Sequence, residues 1–194
     1  ELCEAISYNA VTSLLYEVSA TPKPGLVDRL NQGAHRDMDF FSFMASSAVL
    51  SPYFYKCAEK GTEFSEQQSK GPELLFETLR PLGLAAEKAM YRATGGANTH
   101  KGLIFSVGII CAAAALCYAR DREPGTELKT EKICNTVSGM TQGICAGELA
   151  SMTKRSSLTH GERIYIKYGA RGIRGEVEDG FPTVRKYALR YSAA

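Results

Sequence analysis

"LIFSVGIICAAAALCYA", residues 103–119, runs for 17 residues without a charge, and its reading decides the fold. A helix that crosses a bilayer needs about 20 apolar residues. This run is shorter and contains Ser106, Gly108, Ala112, Ala113, Ala114, Ala115 and Ala119. Small side chains let neighbouring helices approach closely, so the stretch predicts a buried central helix over about 101–119 rather than a membrane span.

Outward from this post the apolar spacing stays helical. Residues 2–18 carry Leu2, Ile6, Val11, Leu14, Leu15 and Val18 at helical rather than alternating spacing, and Pro22 and Pro24 end that helix. Asp37 or Asp39 caps a second helix to about Lys60, with a kink or restart at Pro52 and a stop at Gly61. Pro72 opens a third, broken at Pro81 and halted at Gly95 and Gly96. Thr130 opens another with Ile133, Val137, Met140, Ile144, Leu149 and Met152 in helical register. "THGE" (159–162) has capping-box form, Gly169 ends a short helix, and Pro182 begins the last one. No segment alternates as a strand does. The expectation is one all-α domain over 1–194, a multi-helix bundle around the central helix, with polar loops forming the site.

Composition narrows the function. Apolar residues at 44% suffice for a core, and charged residues at 23% for solubility. A net charge of +2 is too weak for nucleic acid or anionic lipid as a bulk partner, so any electrostatic recognition comes from local clusters. The six cysteines lack C-x-x-C spacing and read as buried free thiols, which with "ELCEAISYNA" lacking a leader pattern points to the cytoplasm. The three histidines are far apart in sequence and have no Cys partner at ligand spacing, which argues against a zinc site.

Three polar segments interrupt the helices: 20–39, 95–102 and 171–180. In "GGANTHKG" (95–102), Asn98, Thr99, His100 and Lys101 stand at the mouth of the central helix. A helix start offers unpaired N–H groups and the positive dipole end, and Lys101 adds charge, so the segment suits a phosphate. It equally suits an ordinary cap with Lys101 solvated. The first loop carries Glu17, Lys23, Asp28 and Arg29, then His35, Arg36, Asp37 and Asp39. Lys23 and Arg29 suit phosphate, Asp28 and Glu17 suit Mg²⁺, and His35 is a possible base. "RGIRGEVEDG" (171–180) reads as a charged glycine-rich loop with Arg174 and Glu176. "SPYFY" (51–55) reads as core aromatic packing.

The strings "EVSATPKPGLVDRLNQGAHRDMD", "LRPLGLAAEKAMYRATGGANTHKGLIFSVGIICAA" and "YGARGIRGEVEDGFPTVRKYAL" resemble the triphosphoribosyl-dephospho-coenzyme A synthases. Those bacterial enzymes make the prosthetic-group precursor of citrate lyase and malonate decarboxylase. The likeness covers about residues 8–189; the family's C-terminal Asp-Thr-Asn and Arg-Gly-Gly strings have no match before "RYSAA". The resemblance implies that ATP and 3'-dephospho-CoA give 2'-(5''-triphosphoribosyl)-3'-dephospho-CoA and adenine, and that another transferase passes the product to an acyl carrier protein subunit. It also implies roles: Lys23, Arg29, Asn98, Thr99, Lys101 and Arg174 for the triphosphate, Asp28 and Asp37 for Mg²⁺, and His35, His100 or Glu176 as the base. The alternatives are a Mg²⁺-dependent nucleotide hydrolase and a non-catalytic nucleotide-binding module.

Overall fold

The computed structural model describes residues 1–67, 71–121, 128–147 and 160–189. Its helices are α1 (Leu2–Ser19), α2 (Phe40–Ser65), α3 (Glu73–Ala93), α4 (Lys101–Asp121), α5 (Thr130–Thr141), α6 (His160–Tyr168) and α7 (Gly172–Glu178), followed by a π-helical turn at Val184–Ala188. No strand occurs among the described residues. Thr159, Leu149 and Met152, to which the sequence assigned helical roles, lie outside them.

The uncharged run is the central post. α4 is long and apolar enough to span a membrane, yet α1, α2, α3, α5 and α7 all pack on it. Ile104, Ile109, Ala112, Ala113, Ala115 and Leu116 are almost wholly buried. The α2–α4 crossing explains the small residues. Tyr53 on α2 donates its hydroxyl to the Ile104 carbonyl at 2.9 Å, and a Cβ on Gly108 would fall 2.0 Å from that hydroxyl oxygen.

The chain stays helical past three residues where a restart, a break or a stop was expected. α2 runs through Pro52 and Gly61, and α3 runs through Pro81. An interior proline costs about 3 kcal/mol. Here it is outweighed by the faces buried on both sides: Leu50, Phe54 and Cys57 around Pro52, and Leu79, Ala86 and Met90 around Pro81. Gly61 is not a stop but a contact. A Cβ there would lie 2.1 Å from the Ala112 carbonyl oxygen of α4. Gly61→Ala is therefore expected to force α2 and α4 apart and destabilise the fold by roughly 1–3 kcal/mol, read as a lower urea midpoint.

Other boundaries follow the sequence. Asp39 caps α2: its Oδ1 accepts from Ser42 N–H at 2.8 Å, and the Asp39 N–H donates back to Ser42 Oγ at 3.3 Å. Gly169, at φ +69°, terminates α6. Segment 171–180, expected as a loop, instead forms α7. Val177 is fully buried, and Ser138 and Thr141 of α5 donate to the carbonyls of Glu178 and Val177. Arg171, ahead of the helix, pairs with its last residue, Glu178, and with Asp179 just beyond it. The cysteines are free thiols, five of them buried, and burial pushes Cys57 up to about 12.

Candidate functional site

Two of the three polar segments fold onto each other. Val27 and Met38 from the 20–39 loop join Ala97 from the α3–α4 turn in a small apolar cluster backed by Phe43. The apolar residues scattered through the charged loop thus dock it against the mouth of α4.

Asp28 organises that loop. It is 2% exposed. Its Oδ2 accepts from Lys23 N–H at 3.0 Å, and its Oδ1 accepts from Leu30 N–H at 2.8 Å and Asn31 N–H at 3.0 Å. The bond from Lys23, then that from Leu30, hold the carboxyl below its ordinary range, against the opposing effect of burial. Both oxygens therefore face backbone donors. Lys23 turns its side chain to Glu17 at the end of α1, with Nζ 2.7 Å from Oε1, and is mostly covered.

His100 completes the arrangement. It is 4% exposed, with Nδ1 2.6 Å from Ser46 Oγ of α2 and its ring edge-on to Phe43 at 4.9 Å between centroids. Its backbone N–H points at Met90 Sδ, 3.2 Å away. Nε2 is buried without a hydrogen-bond partner among the described residues, as is Thr99 Oγ1. Burial drives the His100 pKa down to about 4; Glu17 opposes this and Lys23 reinforces it. The ring is neutral at pH 7, and both charges of the Lys23–Glu17 pair lie within its electrostatic reach.

The remaining residues of "GGANTHKG" divide the work. Asn98 Oδ1 accepts from Lys101 N–H at 3.3 Å and so caps α4. Lys101 is half exposed and places Nζ 3.0 Å from Glu87 Oε2 on α3. In the first loop, Arg29 Nε reaches Thr21 Oγ1 at 3.5 Å. His35 Nδ1 lies 4.0 Å from Asp37 Oδ1, both exposed.

The third segment builds a different place. Arg174 lines a cavity of about 570 Å³ with Phe76, Glu77 and Arg80 of α3 and Gln142 and Ile144 beyond α5. Glu176 accepts from Thr183 N–H at 3.2 Å and from Thr183 Oγ1–H at 2.6 Å, so it secures the turn after Pro182. None of the residues lining that cavity comes from the first loop or from the α3–α4 turn.

A bound Mg²⁺ finds limited support in the described residues. They contain no group of three His, Cys, Asp or Glu side chains that could hold a metal ion. Asp28 is engaged by backbone, whereas Asp37 presents an exposed carboxylate. Such a surface fits an ion that arrives on phosphates and takes one protein carboxylate, not a cage built by the protein.

Sequence reasoning did not find Ser46. Nothing in "FMASSAVL" separates it from Ser47, which donates to the Phe43 carbonyl at 2.8 Å as helical serines commonly do. Glu17 carried a signal as an acidic residue near the loop, but its pairing with Lys23 depends on where the loop turns.

Comparison with known proteins gives one family. The model described as CitG: ATP:dephospho-CoA triphosphoribosyl transferase matches residues 3–194. A relative from Streptococcus pyogenes serotype M18 (strain MGAS8232), called probable 2-(5''-triphosphoribosyl)-3'-dephosphocoenzyme-A synthase, is 42% identical over 193 residues, covering 96% of this chain and 65% of the relative. One of the same description from Streptococcus mutans serotype c (strain ATCC 700610 / UA159) is 39% identical over 197 residues, covering 98% of this chain and 66% of the relative. The chain thus spans just under two thirds of the length of these curated relatives. No solved structure matches it.

Proposed function

The chain belongs to the ATP:dephospho-CoA triphosphoribosyl transferase family, and from that premise we propose that it transfers the triphosphoribosyl group of ATP to 3'-dephospho-CoA. The observation that carries this reading is the docking of the 20–39 loop on the mouth of α4, which gathers Lys23, Glu17 and His100. In the proposed step the bond from the ATP ribose C1' to adenine N9 breaks. A bond forms from C1' to the 2' oxygen of dephospho-CoA, and adenine leaves carrying the electron pair and, after protonation, a hydrogen. The triphosphate stays intact.

The residues divide between charge and proton. Lys23, Lys101 and Arg29 supply cations to the triphosphate, and the first turn of α4 beyond Asn98 and Thr99 supplies N–H donors and the dipole. Lys23 would exchange Glu17 for phosphate oxygens, which frees a carboxylate near the ribose as positive charge builds on the sugar ring. Mg²⁺, when bound, would neutralise part of the triphosphate charge, and Asp37, whose carboxylate is exposed, would receive it. Arg174 lines the cavity beside α3 and would act on the other substrate, with Glu176 on the same short helix. Among His35, His100 and Glu176, we take His100 as the base: its Nε2 is neutral and has no partner among the described residues, and because the atom is buried in the free protein, ATP binding must open the helix mouth to reach it. An incoming polyanion raises the proton affinity of a nearby imidazole, which makes it a better acceptor in the complex than in the free protein. The substrates are cytoplasmic metabolites, and we place the reaction there, with the product handed by a further transferase to an acyl carrier protein.

The test is incubation with ATP, Mg²⁺ and 3'-dephospho-CoA, followed by adenine assay and mass spectrometry. Equal amounts of adenine and an adduct retaining three phosphates are expected. Adenine without adduct would make the chain a nucleotide hydrolase, and ATP binding without adenine would make it a binding module; either result rejects the proposal.

A further inference from the structure

Resting on the reading of His100 as the base, we propose that Ser46 is a positioning residue: it holds the His100 ring by Nδ1, keeps the single ring proton there, and so presents Nε2 as the acceptor for a substrate hydroxyl proton.

The geometry supports each part. The Ser46 Oγ to His100 Nδ1 distance is 2.6 Å, and Ser46 is fully buried, so no water competes for the contact. Phe43, one turn earlier on α2, closes one side of the ring edge-on, and Met90 of α3 lies against the His100 backbone. The ring is therefore held by Phe43 and by one polar bond, both from α2, while α3 anchors the backbone that carries it. The charged groups that face it are Glu17 from α1 and Lys23 from the loop.

The position of the proton follows from the unpartnered atom. A neutral imidazole has one N–H and one lone pair. If Ser46 donated to Nδ1, the N–H would sit on Nε2, buried and without an acceptor. Orphaned buried donors are the rarer and costlier case. With the N–H on Nδ1 donating to Ser46 Oγ, no ring donor is orphaned; the hydrogen that gives up its partner is then that of the Ser46 hydroxyl, which can rotate as a ring N–H cannot. The unpartnered atom is then a lone pair, which is the form a general base requires.

The experiment combines ¹⁵N-histidine NMR with turnover of the chain. Native His100 is expected to show the Nδ1-protonated tautomer at neutral pH. Ser46→Ala is expected to shift its ring nitrogens towards a mixture of tautomers. Turnover should fall about tenfold to a hundredfold, with KM for ATP within about twofold. Ser46→Thr, which keeps the hydroxyl, should restore the native tautomer. A native ring protonated on Nε2, or a tautomer unmoved in folded Ser46→Ala, overturns the proposal. Full turnover in a His100 variant alongside the expected tautomer shift would instead discard the base assignment, while the hold of Ser46 on the ring would stand.

Discussion

His100→Gln is expected to lower turnover by about 10²–10⁴, the range attached to loss of a general base. Glutamine is close to histidine in size and keeps a polar group within reach of Ser46, so the helix mouth should remain folded. The variant loses only the titrating nitrogen. KM for ATP should change little, because the proposed complex would hold the triphosphate by Lys23, Lys101 and the start of α4 rather than by the ring. Retention of native turnover would remove His100 from the reaction and return the role to His35 or Glu176.

The same substitution has a pH signature. The folded-state pKa of His100 is held down to about 4 against an ordinary 6.5. Between these values the unfolded chain binds a proton that the folded chain does not. Stability linked to His100 is thus complete above pH 6.5 and is lost as the pH falls towards 4, on the order of 3 kcal/mol. Asp28 and Asp39, both lowered by hydrogen bonds, add losses of the same sign at lower pH. In His100→Gln the histidine share disappears. Urea midpoints measured from pH 7 to 4 should therefore fall less steeply than in the native chain, and parallel slopes would mean that the ring is solvated and titrates normally.

Asp28→Ala should be the next most damaging change. It removes the acceptor for the N–H groups of Lys23, Leu30 and Asn31, and with it the path that brings Lys23 beside His100. Misplacement by about an ångström is enough for a loss of about 10² in turnover, with helix content by circular dichroism unchanged. Asp28→Asn retains one carbonyl oxygen, and turnover between those of native and Ala is expected. Raised Mg²⁺ separates this account from a metal-ligand role. A loop organiser gains nothing from excess cation, whereas rescue of Asp28→Asn by Mg²⁺ would make Asp28 a ligand after all.

The helices were legible because they depend on local spacing. The uncharged run of α4, the apolar face of α1 and the Asp39 cap all follow from side chains a few positions apart. Misreadings arose where a residue's local preference met a distant neighbour. Gly61 resembles a terminator until Ala112 of α4 is seen against it, and Pro52 and Pro81 resemble breaks until the buried faces around them are weighed. Segment 171–180 looks like a solvated charged loop, and becomes a helix because Val177 and the carbonyls beside it are taken up by α5.

For the site, the sequence by itself supplied the chemical inventory and the family likeness, since cations, carboxylates and histidines are named in the chain and need no coordinates. Which of them share a place was decided by tertiary structure alone. Val27, Met38 and Ala97 are too far apart in sequence for any periodicity to pair them, yet their burial brings Lys23 within electrostatic reach of His100. The same packing assigns Asp28 to the backbone, gives Arg174 a separate cavity, and sets Ser46 against the ring. Local propensity acts over one or two turns of chain, whereas a hydrogen bond between positions 46 and 100 exists only after α2 and the mouth of α4 have closed on each other.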